Sequence, residues 1–130
     1  MLAQPGVKST AADGARMAED RLKAELWIKA QIRICDRENI AATIVRRGDP
    51  TGGAILIKLN RLAAGCRVYT QVRDADYNPA WLCATGAAAV PEAEADAYIQ
   101  RQIQRDYDLW VLEIEDPKAR WQLRERTIEG

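Results

Sequence analysis

Between Arg46 and Asn60 the chain reads RRGDPTGGAILIKLN, a stretch crowded with turn formers followed by an apolar run. In that run Ile55, Ile57 and Leu59 alternate with Leu56 and Lys58. Successive side chains on a strand point to opposite faces, so the run belongs in a sheet. The β-branched pair Ile44 and Val45 precedes the break. Residues 42–60 therefore read as strand, turn and strand, with the glycines at the bend of a hairpin. A fold for this chain has to accommodate that unit first.

Two sharper readings of the same residues are weaker. Gly48 and Gly53 have the spacing of a phosphate-cradling loop, but Ala54 and Ile55 stand where that loop needs a lysine and a hydroxyl. The segment that follows alternates like a strand, whereas such loops draw affinity from a helix N-terminus. Arg47-Gly48-Asp49 spells an adhesion tripeptide, which in a protein expected to be intracellular is coincidence.

Around this unit the pattern continues. Residues 1–16, with Pro5, Gly6 and Gly14, have no periodicity and read as a tail; Met17 would serve as an alternative start. Residues 18–39 hold no Gly or Pro, and Leu22, Leu26, Ile28, Ile32 and Cys35 recur near helical spacing. Leu22, Ala24, Leu26 and Ile28 also alternate, so a strand over 21–27 feeding a helix over 29–39 is an open alternative; Asn39 is a natural helix stop. CRVYTQVRD alternates as a strand, DADYNP is turn chemistry, and AWLCATG is a short peripheral strand. Pro91 and the acids Glu92, Glu94 and Asp96 open a helix that shows Ala95, Tyr98, Ile99, Gln102, Ile103 and Tyr107 on one face. DLWVLEIED is a strand stopped by Pro117, and residues 117–130 read as a charged frayed helix or tail. The sum is a single α+β domain over 17–116, a largely antiparallel sheet with two helices on one face. With the early strand, the order becomes β-α-β-β-(β-β)-α-β, a ferredoxin-like arrangement with an inserted hairpin.

Composition narrows the chemistry. In 130 residues there is no histidine, so His-based catalysis is excluded and the commonest metal ligand is missing. Ser9, in the tail, is the only serine. Nineteen basic residues balance nineteen acidic ones, which gives no net field for nucleic acid or a membrane surface. Cys35, Cys66 and Cys83 are widely spaced and suit free apolar thiols in a reducing cytoplasm; only Cys66, beside Arg67, hints at an activated one. The N-terminal residues lack the apolar core of a secretory signal, and no run reaches the ~18 apolar residues of a membrane span.

Three candidate sites remain. Arg46, Arg47, Lys58 and Arg73 could form a basic face for an anionic partner, with aromatic residues nearby for stacking; the plainer reading is a solvated sheet face. Glu113 and Glu115 share a strand face and, with Asp49, could serve as carboxylate base or metal ligands; cross-strand pairing with the hairpin arginines is simpler. Trp27 and Trp110 fall in core segments, whereas Trp81 and Trp121 fall nearer the surface, where tryptophan favours partner contact.

Taken together, LWIKAQIRIC, RRGDPTGGAILIKLNRL and EAEADAYIQRQIQRDYDLWVLEIED resemble a family of small proteobacterial proteins classed as a domain of unknown function. The likeness spans about residues 20–116 and is most specific at Arg46–Ala54 and Asp108–Asp116. Relatives tend to carry Asp-Pro-Asp-Leu-Trp where this chain has Asp106-Tyr107-Asp108-Leu109-Trp110. The resemblance implies a compact bacterial domain, brings no activity, cofactor or catalytic residue, and favours the early strand over 21–27. The expectation is a non-catalytic interaction or accessory domain acting on a protein partner or on itself, with no cofactor and no metal. Nucleic-acid or phosphometabolite binding and a carboxylate- or metal-based enzyme are the alternatives.

Overall fold

A computed structural model describes residues 24–49, 52–124 and 127–128. The expected tail over 1–16 lies outside these residues. The first element, α1, is helical over 24–37. Ala24, Ile28 and Cys35 are buried at helical spacing, while Leu26 is 62% exposed. The strand-like alternation is thus a coincidence of composition, and the early strand is corrected to helix across 24–27. Asn39 ends the helix at φ 58°. Ile40 N–H donates to Cys35 O and Asn39 N–H to Asp36 O, the paired bonds of a left-handed helix stop.

Six strands follow: β1 (Ala41–Arg46), β2 (Ile55–Asn60), β3 (Cys66–Arg73), β4 (Pro79–Cys83), β5 (Trp110–Glu115) and β6 (Thr127–Ile128). Helix α2 (Glu92–Arg105) lies between β4 and β5. The sheet order is β1-β5-β2-β3-β4-β6. β5 runs antiparallel to β1 and parallel to β2, so the sheet is mixed within the α+β class. The expected hairpin over 42–60 is therefore corrected as well. Its two strands exist, but β5 is inserted between them and the glycine loop spans the inserted strand.

Burial explains the insertion. Every residue of β2 is buried, and β5 is buried at all but Glu113 and Glu115. Strands covered on both sides carry near-continuous apolar runs, and Leu56 between Ile55 and Ile57 is the residue that breaks simple one-face patterning. Ile55, Ile57, Leu59, Leu112 and Ile114 face α1, whereas Leu56, Val68 and Val111 face Ala95 and Ile99 of α2. The helices thus lie on opposite faces of the sheet. That corrects the one-face, ferredoxin-like layout.

The loop over β5 explains its glycines. Trp110 Nε1 donates to Gly52 O at 3.0 Å, Trp110 N to Ala54 O at 2.9 Å, and Asp49 N to Asp108 O at 3.1 Å. A Cβ at Gly48 or Gly53 would collide with the Asp108 carbonyl or crowd the Trp110 ring, and Gly53 also sits at φ 113°. Only glycine lets the backbone lie this close across the indole.

β3 and β4 do form a hairpin. Asp74 Oδ1 accepts from Asp76 N and Asn78 N, the turn chemistry read in DADYNP. Pro91, extended at ψ 150°, precedes α2, whose first turn carries Glu92 and Glu94. Over the described residues 118–124 and 127–128 the segment after Pro117 is not helical and is tied to the fold. Asp116, 1% exposed, accepts Arg120 N through Oδ1 at 3.0 Å and Trp121 N through Oδ2 at 2.8 Å. This folds the segment back over the α1 face, where Trp121 Nε1 donates to Gln31 Oε1 at 3.1 Å. Thr127–Ile128 then pairs in parallel with β4.

Two stability effects are expected. Gly48→Ala should lower unfolding free energy by roughly 2–4 kcal/mol, read from the urea midpoint, since backbone and ring must both shift. Trp121→Ala should cost about 3–5 kcal/mol in the same measurement, a core-sized loss where a surface tryptophan would cost little.

Candidate functional site

The densest polar cluster sits under the start of α2. Sheet alternation sends Lys58 and Asn60 of β2 and Glu113 of β5 to the α2 face, in neighbouring registers. Pro91 starts the helix so that Glu92 and Asp96, one turn apart, overhang them. Lys58 Nζ lies 2.7 Å from Glu92 Oε2, 2.7 Å from Asp96 Oδ1 and 3.7 Å from Glu113 Oε2. Asn60 Nδ2 donates to Glu92 at 3.3 Å and to Glu113 at 3.1 Å, and Asn60 Oδ1 accepts Leu62 N at 2.8 Å. The lysine side chain is 7% exposed, against 56% for Glu92 and 53% for Asp96. Burial opposes its charge, but hydrogen bonds to Asp96 and Glu92 and the nearby Glu113 outweigh it and raise the Lys58 pKa.

A lysine held so firmly as the ammonium has no free lone pair for nucleophilic or base chemistry near neutral pH. The cluster reads as a buried tie between sheet and helix. Glu113 accordingly pairs with Lys58 rather than with the hairpin arginines, and Glu115 is exposed at the strand end opposite Ala41.

The arginines go elsewhere. Arg46 donates from Nη2 to Tyr107 O at 2.9 Å. Arg47 bridges to Glu25 at 3.1 Å and places its guanidinium 5.3 Å from the centre of the Trp110 ring. Lys29 and Arg47 together hold the Glu25 carboxyl below its usual range, with the Lys29 hydrogen bond the larger influence. Arg73 sits at the far end of β3 and donates to Tyr77 O at 3.2 Å. Arg46, Arg47, Lys58 and Arg73 therefore do not assemble one basic face. Asp49, in the crossing loop, is held through its backbone against Asp108.

The tryptophans expected near the surface are buried: Trp81 is 3% and Trp121 4% exposed. Trp81 lies 5.1 Å from Trp27, ring centre to ring centre. Neither can anchor a partner. The misplacement of Trp121 had a readable remedy, since Asp116 followed by Pro117 is a turn that can return the chain to the core. Cys35, Cys66 and Cys83 are free and buried. Burial, reinforced by Asp116, pushes the Cys35 thiol up to about 11, and burial also raises Cys66, so neither is activated. Among the described residues no group of three His, Cys, Asp or Glu side chains could hold a metal ion, and no helix is long and apolar enough to cross a membrane.

One edge of the sheet is exposed. β1 carries Ala41, Ala42, Thr43, Ile44 and Val45 before its first charge at Arg46, and among the described residues it pairs on one side alone, with β5. Ala41, Thr43 and Val45 are exposed, Val45 to 55%. Tyr107, 74% exposed, stands beside the strand end through its bond to Arg46. Sequence reading placed this strand inside a hairpin and so missed the edge.

Comparison with known proteins fits this geometry. The family model described as "Protein of unknown function (DUF1491)" matches residues 22–124. A crystal structure of a DUF1491 family protein from Caulobacter crescentus is 32% identical, with TM-score 0.70, covering 79% of this chain and 95% of that one. An NMR structure of a DUF1491 family protein from the same organism gives 31% identity and TM-score 0.69, covering 81% and 94%. A solution structure of a protein from A. tumefaciens is 25% identical, with TM-score 0.61, covering 73% and 86%. No curated protein matches the chain.

Lys58→Met should destabilise the fold by about 2–3 kcal/mol near neutral pH, less than a fully buried pair because two of the acids are half in water. Because the folded-state pKa of Lys58 is raised, its contribution is complete below the ordinary value of 10.5 and is lost as pH climbs beyond it. The stability difference between wild type and variant should therefore be constant from pH 7 to about 10 and shrink above that range, as read from denaturant midpoints.

Proposed function

The chain belongs to the DUF1491 family of proteins of unknown function, and we propose that it is a non-catalytic interaction domain whose β1 edge pairs with β1 of a second copy. The observation that carries this reading is the strand at the border of the sheet, uncharged from Ala41 to Val45 and exposed at Ala41, Thr43 and Val45. An open edge is a template for strand addition, and proteins that stay apart usually protect it with lysine, proline or a very short strand. β1 has none of these within Ala41–Val45 and relies on a single irregularity between Ile44 and Arg46.

A two-fold axis at Thr43 would bring the two copies' threonines opposite each other and set Val45 across from Ala41 of the second copy. Such pairs stabilise antiparallel ladders, and a two-fold interface of this kind closes on itself. Tyr107 and Arg47 would form the rim. The buried, unpaired thiols suit a reducing cytoplasm as the setting. The clusters around Lys58 and Trp110 serve the fold, and the edge is a surface that the fold does not itself use.

Thr43→Lys tests this cleanly. Its register partner within the chain is Glu113, so the fold tolerates the new cation, while across the two-fold axis it meets its own copy. Light scattering across protein concentration should show a dimer for the wild type and a dissociation constant raised roughly tenfold or more for the variant. A wild type that stays monomeric at every concentration, or a dimer indifferent to the lysine, would sink the reading.

A further inference from the structure

On the α1 face, beyond the end of β2, a cavity of about 270 Å³ is lined by Leu59, Arg61, Tyr69, Trp121, Leu123 and the polar residues Gln122 and Thr127. Arg61, the first residue after β2, lines the same cavity as Leu59. Its backbone is fixed: Arg61 N donates to Gly65 O at 2.9 Å, and Asn60 Oδ1 holds the next amide. Arg61 is the only charged one among the described residues of the lining. Among the described residues it makes no ion pair, and its Nε is shielded from solvent with no hydrogen-bond acceptor. A shielded charged donor without an acceptor is costly, and a fold that keeps one gains most when an anion supplies the acceptor.

We propose that this cavity binds a small organic carboxylate, its carboxylate on the Arg61 guanidinium and its apolar body against Tyr69 and Leu123, the half-buried apolar residues of the lining. The planar fork of arginine matches a carboxylate with two parallel bonds. Gln122, exposed in the lining, offers a further donor at the rim. The volume lies just below the usual range for ligand pockets, ~300–1,000 Å³, which selects a compact acid over a nucleotide. The site lies across the sheet from the Lys58 cluster and does not depend on pairing through β1.

Sodium benzoate is the probe, with benzamide as its uncharged counterpart and sodium phosphate as an anion lacking an apolar body. Titrated into the full chain, benzoate should raise the melting temperature and shift the Trp121 indole N–H resonance, while benzamide and phosphate do neither. Arg61→Gln should weaken benzoate binding by about tenfold or more, and Arg61→Lys, which keeps the charge but loses the fork, should fall between. An indole resonance unmoved by benzoate would overturn the proposal. So would an equal response to benzamide or phosphate, or undiminished binding by Arg61→Gln. The three probes on the unmodified protein decide the matter even where a variant fails to fold.

Discussion

The insertion of β5 between β1 and β2 is the constraint from which the rest of the architecture follows. It separates two strands that lie next to each other in the chain, and so obliges the connection between them to climb over the strand it encloses. Trp110 is the point of contact. Its indole donates to Gly52, its ring lies under the backbone of Gly48, and the guanidinium of Arg47 covers it from outside. The two stretches on which the family resemblance rests most firmly, Arg46–Ala54 and Asp108–Asp116, are therefore the two halves of one junction. They are distinctive because each exists to fit the other, and a fit of backbone against ring leaves little freedom of composition.

With β5 central, the sheet needs cover on both sides, and the two sides solve the problem differently. On one, α1 and the returned C-terminal segment bring aliphatic side chains and two of the four tryptophans, Trp27 and Trp121, onto Ile55, Ile57 and Leu59. On the other, α2 is short of apolar residues, with only Ala95 and Ile99 buried, and much of the contact is electrostatic. Lys58 supplies it. The cost of taking an ammonium out of water is offset by three carboxylates and is lowered because two of them remain half hydrated. An ionic tie of this sort also fixes where along the sheet the helix sits, something a smooth apolar contact would leave freer.

Much of this was readable in the residues, and the failures share a cause. Strand and helix positions between residues 40 and 116, the turn at Asp74–Asn78, the helix stop at Asn39 and the helix start at Pro91 are set by neighbours in sequence, and local chemistry announces them. Which strand lies beside which is set by partners far along the chain. Alternation at Ile55–Leu59 says that a strand has an apolar face but does not say that a distant strand will separate it from β1. The early alternation at Leu22–Ile28 misled because four aliphatic residues spaced by two also occur within an amphipathic helix. Trp81 and Trp121 misled because a charged neighbourhood was taken for a wet one. At Trp121 the carboxylate of Asp116 is spent on backbone amides and carries the indole inward. The open edge of β1 could not be seen at all until its neighbour was known.

The central strand is also among the last to be made. On the ribosome, β1, β2, β3 and β4 all emerge before residues 110–115, yet β1 has no place in the sheet until β5 arrives to hold it. Sequence-distant pairing of this kind is slow, because the intervening chain must be ordered before the contact rewards it. The nascent polypeptide therefore carries β1 without its sheet partner until residues 110–115 have been made. Closure waits on that central strand, so the sheet of this domain assembles around β5 rather than strand by strand along the way.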